Sequence, residues 1–129
     1  MKKLIVVEDD RITQQFYAMF FNKNGYDTVI TDNGDRILDT LLTEEVGLIL
    51  MDINLGGGID GTEAARVILK THEIPLLFLS SHTEKEIVAK TEKITSYGYV
   101  VKDSKDVVLL ASIKMAFKLF NANQELRNK

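Results

Sequence analysis

The sequence predicts an α/β fold in which helices cover both faces of a parallel sheet. Short apolar runs alternate with segments of helical periodicity along the whole chain, and no internal repeat or low-complexity segment interrupts them. The runs are continuously apolar, whereas a strand with one face in water alternates apolar and polar residues. Continuous apolar strands between amphipathic helices are typical of parallel sheets that are buried on both faces.

Composition and charge limit the class of protein. The chain has 129 residues, 45% of them hydrophobic, and 1 Pro, which fits one globular domain. It contains 0 Cys, so disulfides and thiolate metal sites are excluded, and a reducing compartment is compatible with the sequence. The formal net charge of −3 provides no basic surface, and we expect no direct binding of nucleic acid.

No apolar run approaches the roughly 18 residues that a membrane span needs. The first run ends at Glu8, Asp9 and Asp10, and it is too short for the core of a signal peptide. We therefore expect a cytoplasmic protein without a membrane partner.

The first half of the chain predicts three strands and two helices. The strands are expected over residues 3–7, 26–31 and 46–51. Asp10 can cap the first helix and Gly25 can end it. The apolar residues at helical spacing within it are Ile12, Phe16, Met19 and Phe20. A turn at 32–34 leads into the second helix, whose expected inner side is Ile37, Leu38, Leu41 and Leu42.

The second half predicts the remaining strands and helices. The strands are expected over 76–79, after Pro75, and over 98–101. A helix over 62–71 would turn Ala65, Ile68 and Leu69 inward. Residues 83–86 have the capping-box pattern that opens a fourth helix, and a long helix runs from about 105 to 127.

Right-handed crossovers leave few topologies for five strands that alternate with five helices. The flavodoxin-like strand order 2-1-3-4-5 fits this length best, as a three-layer (βα)5 sandwich. In such a sheet the functional site lies outside the carboxyl ends of the strands, where the order reverses between strands one and three.

Polar side chains follow four of these strands. The acids Glu8 and Asp9 follow the first strand, Asp52 the third, Ser80 the fourth and Lys102 the fifth. Because the strands are parallel, all of these groups would meet at one edge of the sheet. Asp10 is better explained as the cap of the first helix.

Several carboxylates in one crevice are unfavourable unless a cation neutralises them. Mg²⁺ suits such a site, since it accepts one or two carboxylates and phosphate oxygens at the same time. A carboxylate such as Asp52 can attack phosphorus. Lys102 would balance the charge of a phosphoryl group and Ser80 would donate a hydrogen bond to it.

Four motifs carry a resemblance to a known family: V-V-E-D-D, L-M-D-I-N-L followed by D-G, P-L-L-F-L-S-S and G-Y-V-V-K. In this order and at these separations, they resemble the response-regulator receiver domains of two-component signalling over essentially the full length. The resemblance implies a phosphorylation-dependent switch with intrinsic self-phosphorylation and autodephosphorylation, and no enzyme activity on an outside substrate.

The same resemblance implies the roles of single residues. Asp52 would be the phosphoacceptor, Ser80 and Lys102 would assist it, and Ser80 with Tyr99 would form the switch. Mg²⁺ would be bound by Glu8, Asp9, Asp52 and the backbone carbonyl of Asn54. A histidine kinase or phosphotransfer protein would donate the phosphoryl group, and the face of helix 4, strand 5 and helix 5 would change its partner affinity.

Three departures from the family pattern occur. Asp103 follows Lys102 where Pro is usual, Glu8 replaces the commoner Asp, and the loop after Asp52 is one residue longer, with Gly56 where Pro is frequent. A cis bond before a residue other than Pro costs about 2.5–4 kcal/mol, so the usual loop shape at Asp103 is not assumed.

The last helix is longer than the sheet requires, at about 34 Å. We assign 1–120 to the domain and 121–129 to a helical extension. The expected inward stripe is Leu110, Ile113, Phe117 and Phe120. A second stripe has the 4-3-4 spacing of a coiled coil: Met115, Leu119, Ala122 and Leu126. A homodimer contact, a linker to an output module and a frayed tail are all compatible with it.

Two other classes of function are open to a chain with these residues. A small aspartate-based phosphotransferase would need a substrate pocket, and the sequence offers no cap domain for one. A pure interaction module would have lost its chemistry, whereas this chain keeps Glu8, Asp9, Asp52, Ser80 and Lys102. The glycines at 56–58 lack the lysine of a P-loop.

Overall fold

The computed structural model describes residues 2–32, 36–43, 45–53, 61–80, 85–94, 97–102 and 104–128. Strands and helices alternate throughout, as the sequence predicts. In chain order they are β1 (Lys2–Val7), α1 (Arg11–Lys23), β2 (Tyr26–Thr31), α2 (Ile37–Thr43), β3 (Leu48–Asp52), α3 (Gly61–Thr71), β4 (Leu76–Ser80), α4 (Lys85–Ile94), β5 (Tyr99–Val101) and α5 (Asp106–Arg127). None of the helices in these ranges is both long and apolar enough to cross a membrane.

The strands form one parallel sheet of order β2-β1-β3-β4-β5. This confirms the predicted flavodoxin-like fold. The register aligns the strand ends: Val7 pairs with Thr31 and Met51, Asp52 pairs with Leu79, and Ser80 with Val101. Residues that follow β1, β3, β4 and β5 therefore share one edge.

Each face of the sheet has its own hydrophobic core. Successive residues of a strand point to opposite faces, so Leu4 and Val6 pack with α1 and α5 while Ile5 and Val7 pack on the other side. The first core includes Phe21 of α1 and Ile113 of α5, and the second includes Ile68 of α3. These two cores hold the middle layer of the sandwich in place.

Helix α1 begins as predicted but buries a different face. Asp10 is its N-cap, with its side chain accepting a hydrogen bond from the amide of Thr13 at 2.9 Å. Ile12, Phe16 and Met19 are 78%, 50% and 75% exposed, so the predicted apolar face is not the buried one.

Two aromatic residues of α1 take the buried positions instead. Tyr17 and Phe21 stack with ring centroids 5.7 Å apart, and Phe21 meets Tyr26 of β2 edge-on at 6.5 Å. Aromatic rings bury the largest areas in a core. They therefore decide which side of α1 faces the sheet, and Phe20 is half-buried beside them.

The inner sides of α2 and α3 follow the prediction in part. In α2, Ile37 is fully buried and Leu41 packs against the core, but Leu42 is 81% exposed, so its predicted inward position is wrong. This helix has only 7 residues and covers the sheet with one narrow face. In α3 the expected inward residues Ala65, Ile68 and Leu69 all contact the core.

Helix α5 confirms the predicted long final helix, which continues without a break across the assigned boundary at residue 120. Ile113 and Phe117 are buried, and Leu110 packs beside them. The second stripe faces solvent: Met115, Leu119, Ala122 and Leu126. The end of the helix is held to the turn before β4, because Arg127 forms an ion pair with Glu73 and Gln124 donates to the same carboxylate at 3.0 Å.

Candidate functional site

The carboxyl edge of the sheet brings together an acidic cluster. Glu8, Asp9 and Asp52 each place one carboxylate oxygen within 4.8 Å of the others. Glu8 and Asp52 are 0% and 1% exposed, whereas Asp9 is open to solvent. The cluster therefore has a buried floor and one accessible ligand.

Lys102 connects the two buried acids. Its Nζ donates to Oδ2 of Asp52 at 2.7 Å and to Oε1 of Glu8 at 2.9 Å. The backbone holds this lysine close to the neighbouring strand, since its amide donates to the carbonyl of Ser80 at 2.8 Å. A cation that touches both carboxylates is placed to balance charge on any group attached to Asp52.

Burial and charge shift the pKa of both Glu8 and Lys102. Burial, followed by the hydrogen bond and the charge of Asp52, raises the pKa of Glu8 from 4.5 to about 7, although Lys102 opposes the change. Burial alone would lower the pKa of Lys102, but its contacts with Asp52 and Glu8 outweigh that and raise it. The pocket therefore binds positive charge strongly, whether a proton, the lysine or a metal ion.

Backbone contacts fix Glu8 at the end of β1. Its amide donates to the carbonyl of Thr31 at 3.0 Å, and its Oε2 accepts from the amide of Asp9 at 3.0 Å. The side-chain amide of Gln14, in the first turns of α1, donates to the carbonyl of Glu8. The sequence contains no signal for this role of Gln14, because it depends on how α1 packs.

Asp10 is engaged by its own helix rather than by the cluster. Thr13 donates to its Oδ2 from the amide at 2.9 Å and from the hydroxyl at 2.6 Å. The hydrogen bond from the Thr13 side chain lowers the pKa of Asp10. The interpretation of Asp10 as an N-cap is confirmed.

Ser80 ends β4 at the carboxyl edge, whereas Tyr99 begins β5, at the opposite end of that short strand from Lys102. Ser80 is fully buried at the end of β4, next to Lys102 in the backbone register. Tyr99 is half-buried, packs against the core that contains Ile68, and also lines a groove between β5 and α5. Asn54, Gly56, His82 and Asp103 lie outside the described residues, and so does the bond between Lys102 and Asp103.

The donor set fits Mg²⁺. Three carboxylates provide hard oxygen ligands, and the solvent-open side at Asp9 leaves room for the waters that Mg²⁺ retains. Thiolate ligands are absent because the sequence has 0 Cys, and the described cluster contains no histidine. Glu8, Asp9 and Asp52 are the described residues that could hold the ion.

Comparisons with known proteins agree with this geometry. The family model for the response regulator receiver domain matches residues 4–114. The N-terminal domain of a response regulator/sensory box/GGDEF 3-domain protein from Carboxydothermus hydrogenoformans is similar, with 38% identity, 95% of this chain and 98% of that chain covered, and a TM-score of 0.86.

Two further solved structures are similar. The BeF3-activated N-terminal receiver domain of RstA from Klebsiella pneumoniae has 28% identity over 90% of this chain and 98% of that chain, with a TM-score of 0.83. A fusion protein that carries residues 181–211 of the yeast Spc42 coiled coil has 38% identity over 96% of this chain and 84% of that chain, with a TM-score of 0.92. By its fold, its acidic cluster and the family match, this chain belongs to the response regulator receiver domain family.

Proposed function

We propose that this chain is a phosphorylation-controlled switch in which Asp52 accepts a phosphoryl group in a Mg²⁺-dependent reaction. The observation that carries the proposal is the contact of Lys102 with both Asp52 and Glu8 inside the acidic cluster. Receiver domains interact with histidine kinases or phosphotransfer proteins, and we assign the role of donor to a protein of that kind.

The transfer uses the carboxylate of Asp52 as nucleophile. Its oxygen attacks phosphorus of a phosphohistidine, the new O–P bond forms as the N–P bond breaks, and the leaving imidazole keeps the electron pair and takes a proton. Lys102 balances the charge of the phosphoryl oxygens, and the hydroxyl of Ser80 donates a hydrogen bond to one of them. Both residues already lie at the same edge of the sheet.

Glu8, Asp9, Asp52 and the backbone carbonyl of Asn54 would hold Mg²⁺. When bound, the ion supplies charge neutralisation between the carboxylates and the incoming phosphoryl group. The raised pKa of Glu8 supports this role, since burial, and after it the neighbouring Asp52, disfavour the ionised form of Glu8 unless a cation is bound.

We assign no reaction on an outside substrate to this chain. Water would slowly attack the acyl phosphate of Asp52, releasing inorganic phosphate and restoring the carboxylate. We also propose a cytoplasmic location, with which the absence of cysteine is compatible.

The proposed output surface is the face formed by α4, β5 and α5. An apolar groove of about 610 Å³ lies there. Its lining includes Tyr97, Tyr99, Val108, Ala111, Met115 and Leu119. Movement of Ser80 and Lys102 toward a phosphoryl group would change the packing of Tyr99 and hence the shape of the groove. A shift between two existing conformations is sufficient to change partner affinity.

The exposed second stripe of α5 supports a homodimer contact within this proposal. Met115 is 63% exposed and Leu126 is 69% exposed, in a register that suits a coiled-coil seam. We assign residues 1–120 to the receiver domain and 121–129 to a helical extension or linker of the last helix.

The proposal is tested by incubating the chain with acetyl phosphate, with and without Mg²⁺, and measuring intact mass. We expect one added phosphoryl group that requires Mg²⁺ and is absent in Asp52→Asn. Asp39→Asn is the matched control, because Asp39 is an exposed acid of α2. An unmutated chain that binds Mg²⁺ but gains no phosphoryl group would refute the proposal, and rapid turnover of the donor without an adduct would indicate an enzyme instead.

A further inference from the structure

The first residue of α3 lies directly against the backbone of Asp52. Gly61 is buried, and its amide donates to the carbonyl of Ile53 at 3.1 Å. A Cβ atom placed on Gly61 would overlap the carbonyl oxygen of Asp52 and lie 2.9 Å from its carbonyl carbon. It would also lie 3.0 Å from Cα of Ile53, at the limit below which real Cβ atoms are essentially never found.

Space, and not backbone conformation, requires glycine at this position. Among the described glycines, Gly25 and Gly98 have positive φ angles, and Gly61 does not. An L-residue could therefore adopt the backbone conformation of Gly61. Its Cβ, however, would clash with backbone atoms, which cannot move aside by a change of side-chain rotamer. Either α3 or the end of β3 would have to shift.

Such a shift would displace the end of β3 relative to its neighbours. Asp52 is buried, and its Oδ2 lies 2.7 Å from Nζ of Lys102. The strand is paired on both sides, with β1 and β4. A shift of its last residue would therefore change the position of Asp52 relative to Glu8, which follows β1, and to Lys102.

We propose that Gly61 is a positioning residue. Because it has no side chain, α3 can pack directly against the backbone of Asp52, and this contact holds the carboxylate of Asp52 beside Glu8 and Lys102. The inference rests on the proposed function, because the alignment would serve both the binding of Mg²⁺ and the transfer of the phosphoryl group to Asp52. A misplacement on the order of 1 Å at a reacting group can reduce a rate by about 10²-fold.

The test compares Gly61→Ala with Gly25→Ala. Gly25 has a φ of +91° and no neighbour within 4 Å of an added Cβ, so alanine there strains the backbone without touching another group. It precedes β2 and lies at the opposite edge of the sheet from Asp52. The measurements are the thermal midpoint by circular dichroism, the Mg²⁺ dissociation constant by calorimetry, and the initial rate of phosphoryl uptake from acetyl phosphate.

We expect Gly61→Ala to lower the uptake rate by about 10²-fold and to weaken Mg²⁺ binding by about tenfold or more. Gly25→Ala should keep both values within about twofold even though its thermal midpoint falls. Equal uptake and equal Mg²⁺ affinity in Gly61→Ala and the unmutated chain would overturn the inference. So would equal losses in the two variants at equal thermal stability.

The Mg²⁺ measurement separates this inference from the proposed function. If the unmutated chain takes up no phosphoryl group, the proposed function fails, and the difference in Mg²⁺ affinity between the two variants still decides the role of Gly61.

If Gly61→Ala does not fold, amide hydrogen exchange of the unmutated chain decides instead. Mg²⁺ with beryllofluoride, at about 100 times the dissociation constant, should slow exchange of the Gly61 amide by about 10²-fold if binding requires α3 to be seated on Asp52. Exchange of the Gly25 amide, which donates to the carbonyl of Asn22 at 3.2 Å, should slow by a smaller factor. Unchanged exchange at Gly61, or an equal change at both amides, would contradict the inference.

Discussion

Two neighbouring regions of the molecule differ in how well the sequence predicts their structure. One is the carboxyl edge of the sheet, and the other is the outer surface of α1. At the edge, Glu8, Asp9, Asp52 and Lys102 lie together as their strand positions predict. On α1, Ile12 and Met19 have the spacing of an inner face and are nevertheless exposed. Topology fixes where a strand ends, whereas the face that a helix buries depends on which neighbouring side chains pack best.

The largest expected effect tests the buried face of α1 with two residues of the same type. Phe21 is fully buried and Phe16 is 50% exposed. Phe21→Ala should lower the free energy of unfolding by about 3–5 kcal/mol, because it removes the ring that joins α1 to β2. Phe16→Ala should cost less than about 1 kcal/mol. Urea denaturation measures both values, and equal losses would mean that α1 is rotated from the orientation described.

The second effect is a pH dependence that originates at the carboxyl edge. Burial, and after it the neighbouring Asp52, raises the pKa of Glu8 from 4.5, its value in an unfolded chain, to about 7 in the folded chain. Protonated Glu8 therefore contributes its full stabilisation of the folded state below pH 4.5, and this stabilisation is lost as the pH rises through 7. Relative to Glu8→Gln, the free energy of unfolding should fall by about 3 kcal/mol over this range.

The pH prediction is measured by urea denaturation in EDTA, because a bound metal would hold Glu8 ionised. Parallel stability profiles for the unmutated chain and Glu8→Gln would show that Glu8 titrates normally and that the edge is less crowded than the structure indicates.

The third effect concerns the charge that Lys102 brings to the cluster. Lys102→Met removes a cation that contacts both Asp52 and Glu8. Mg²⁺ should therefore bind about tenfold more tightly, which corresponds to a binding free energy more favourable by ~1.4 kcal/mol. Phosphoryl uptake should nevertheless become slower, because the charge that balances the phosphoryl group is gone. Calorimetry measures the affinity, with Lys114→Met on the exposed side of α5 as the control. Weaker Mg²⁺ binding in Lys102→Met would mean that the lysine helps to form the metal site.

The smallest effect lies at the far end of α5. Arg127 and Glu73 are 60% and 64% exposed, so solvent screens their ion pair. Arg127→Ala should change the free energy of unfolding by about 0.2–1 kcal/mol, and the change should shrink further at high salt. A loss above this range in urea denaturation would show that the end of α5 is part of the core structure rather than an extension.

Sequence reasoning predicted the order of the elements, the strand topology and the meeting of Glu8, Asp9, Asp52 and Lys102 at one edge. It succeeded because continuous apolar runs locate the strands and a parallel sheet brings their ends together. It missed Gln14, whose contact with Glu8 depends on the packing of α1, and the requirement for glycine at position 61, which arises from a helix that meets a strand across the loop. The chemical roles of the site residues stay predictions, and those of Asn54 and Tyr99 depend in addition on the loop after Asp52 and on movement, respectively.

The most direct test of the central claim is to identify the residue that carries the phosphoryl group. The chain is treated with acetyl phosphate and Mg²⁺, reduced with borohydride, which converts an acyl phosphate of aspartate to homoserine, and digested for tandem mass spectrometry. We predict homoserine at position 52, and none there when Mg²⁺ or the donor is omitted. Homoserine at position 9 instead, or an added phosphoryl mass with an unaltered Asp52, would contradict the assignment of Asp52 as the acceptor.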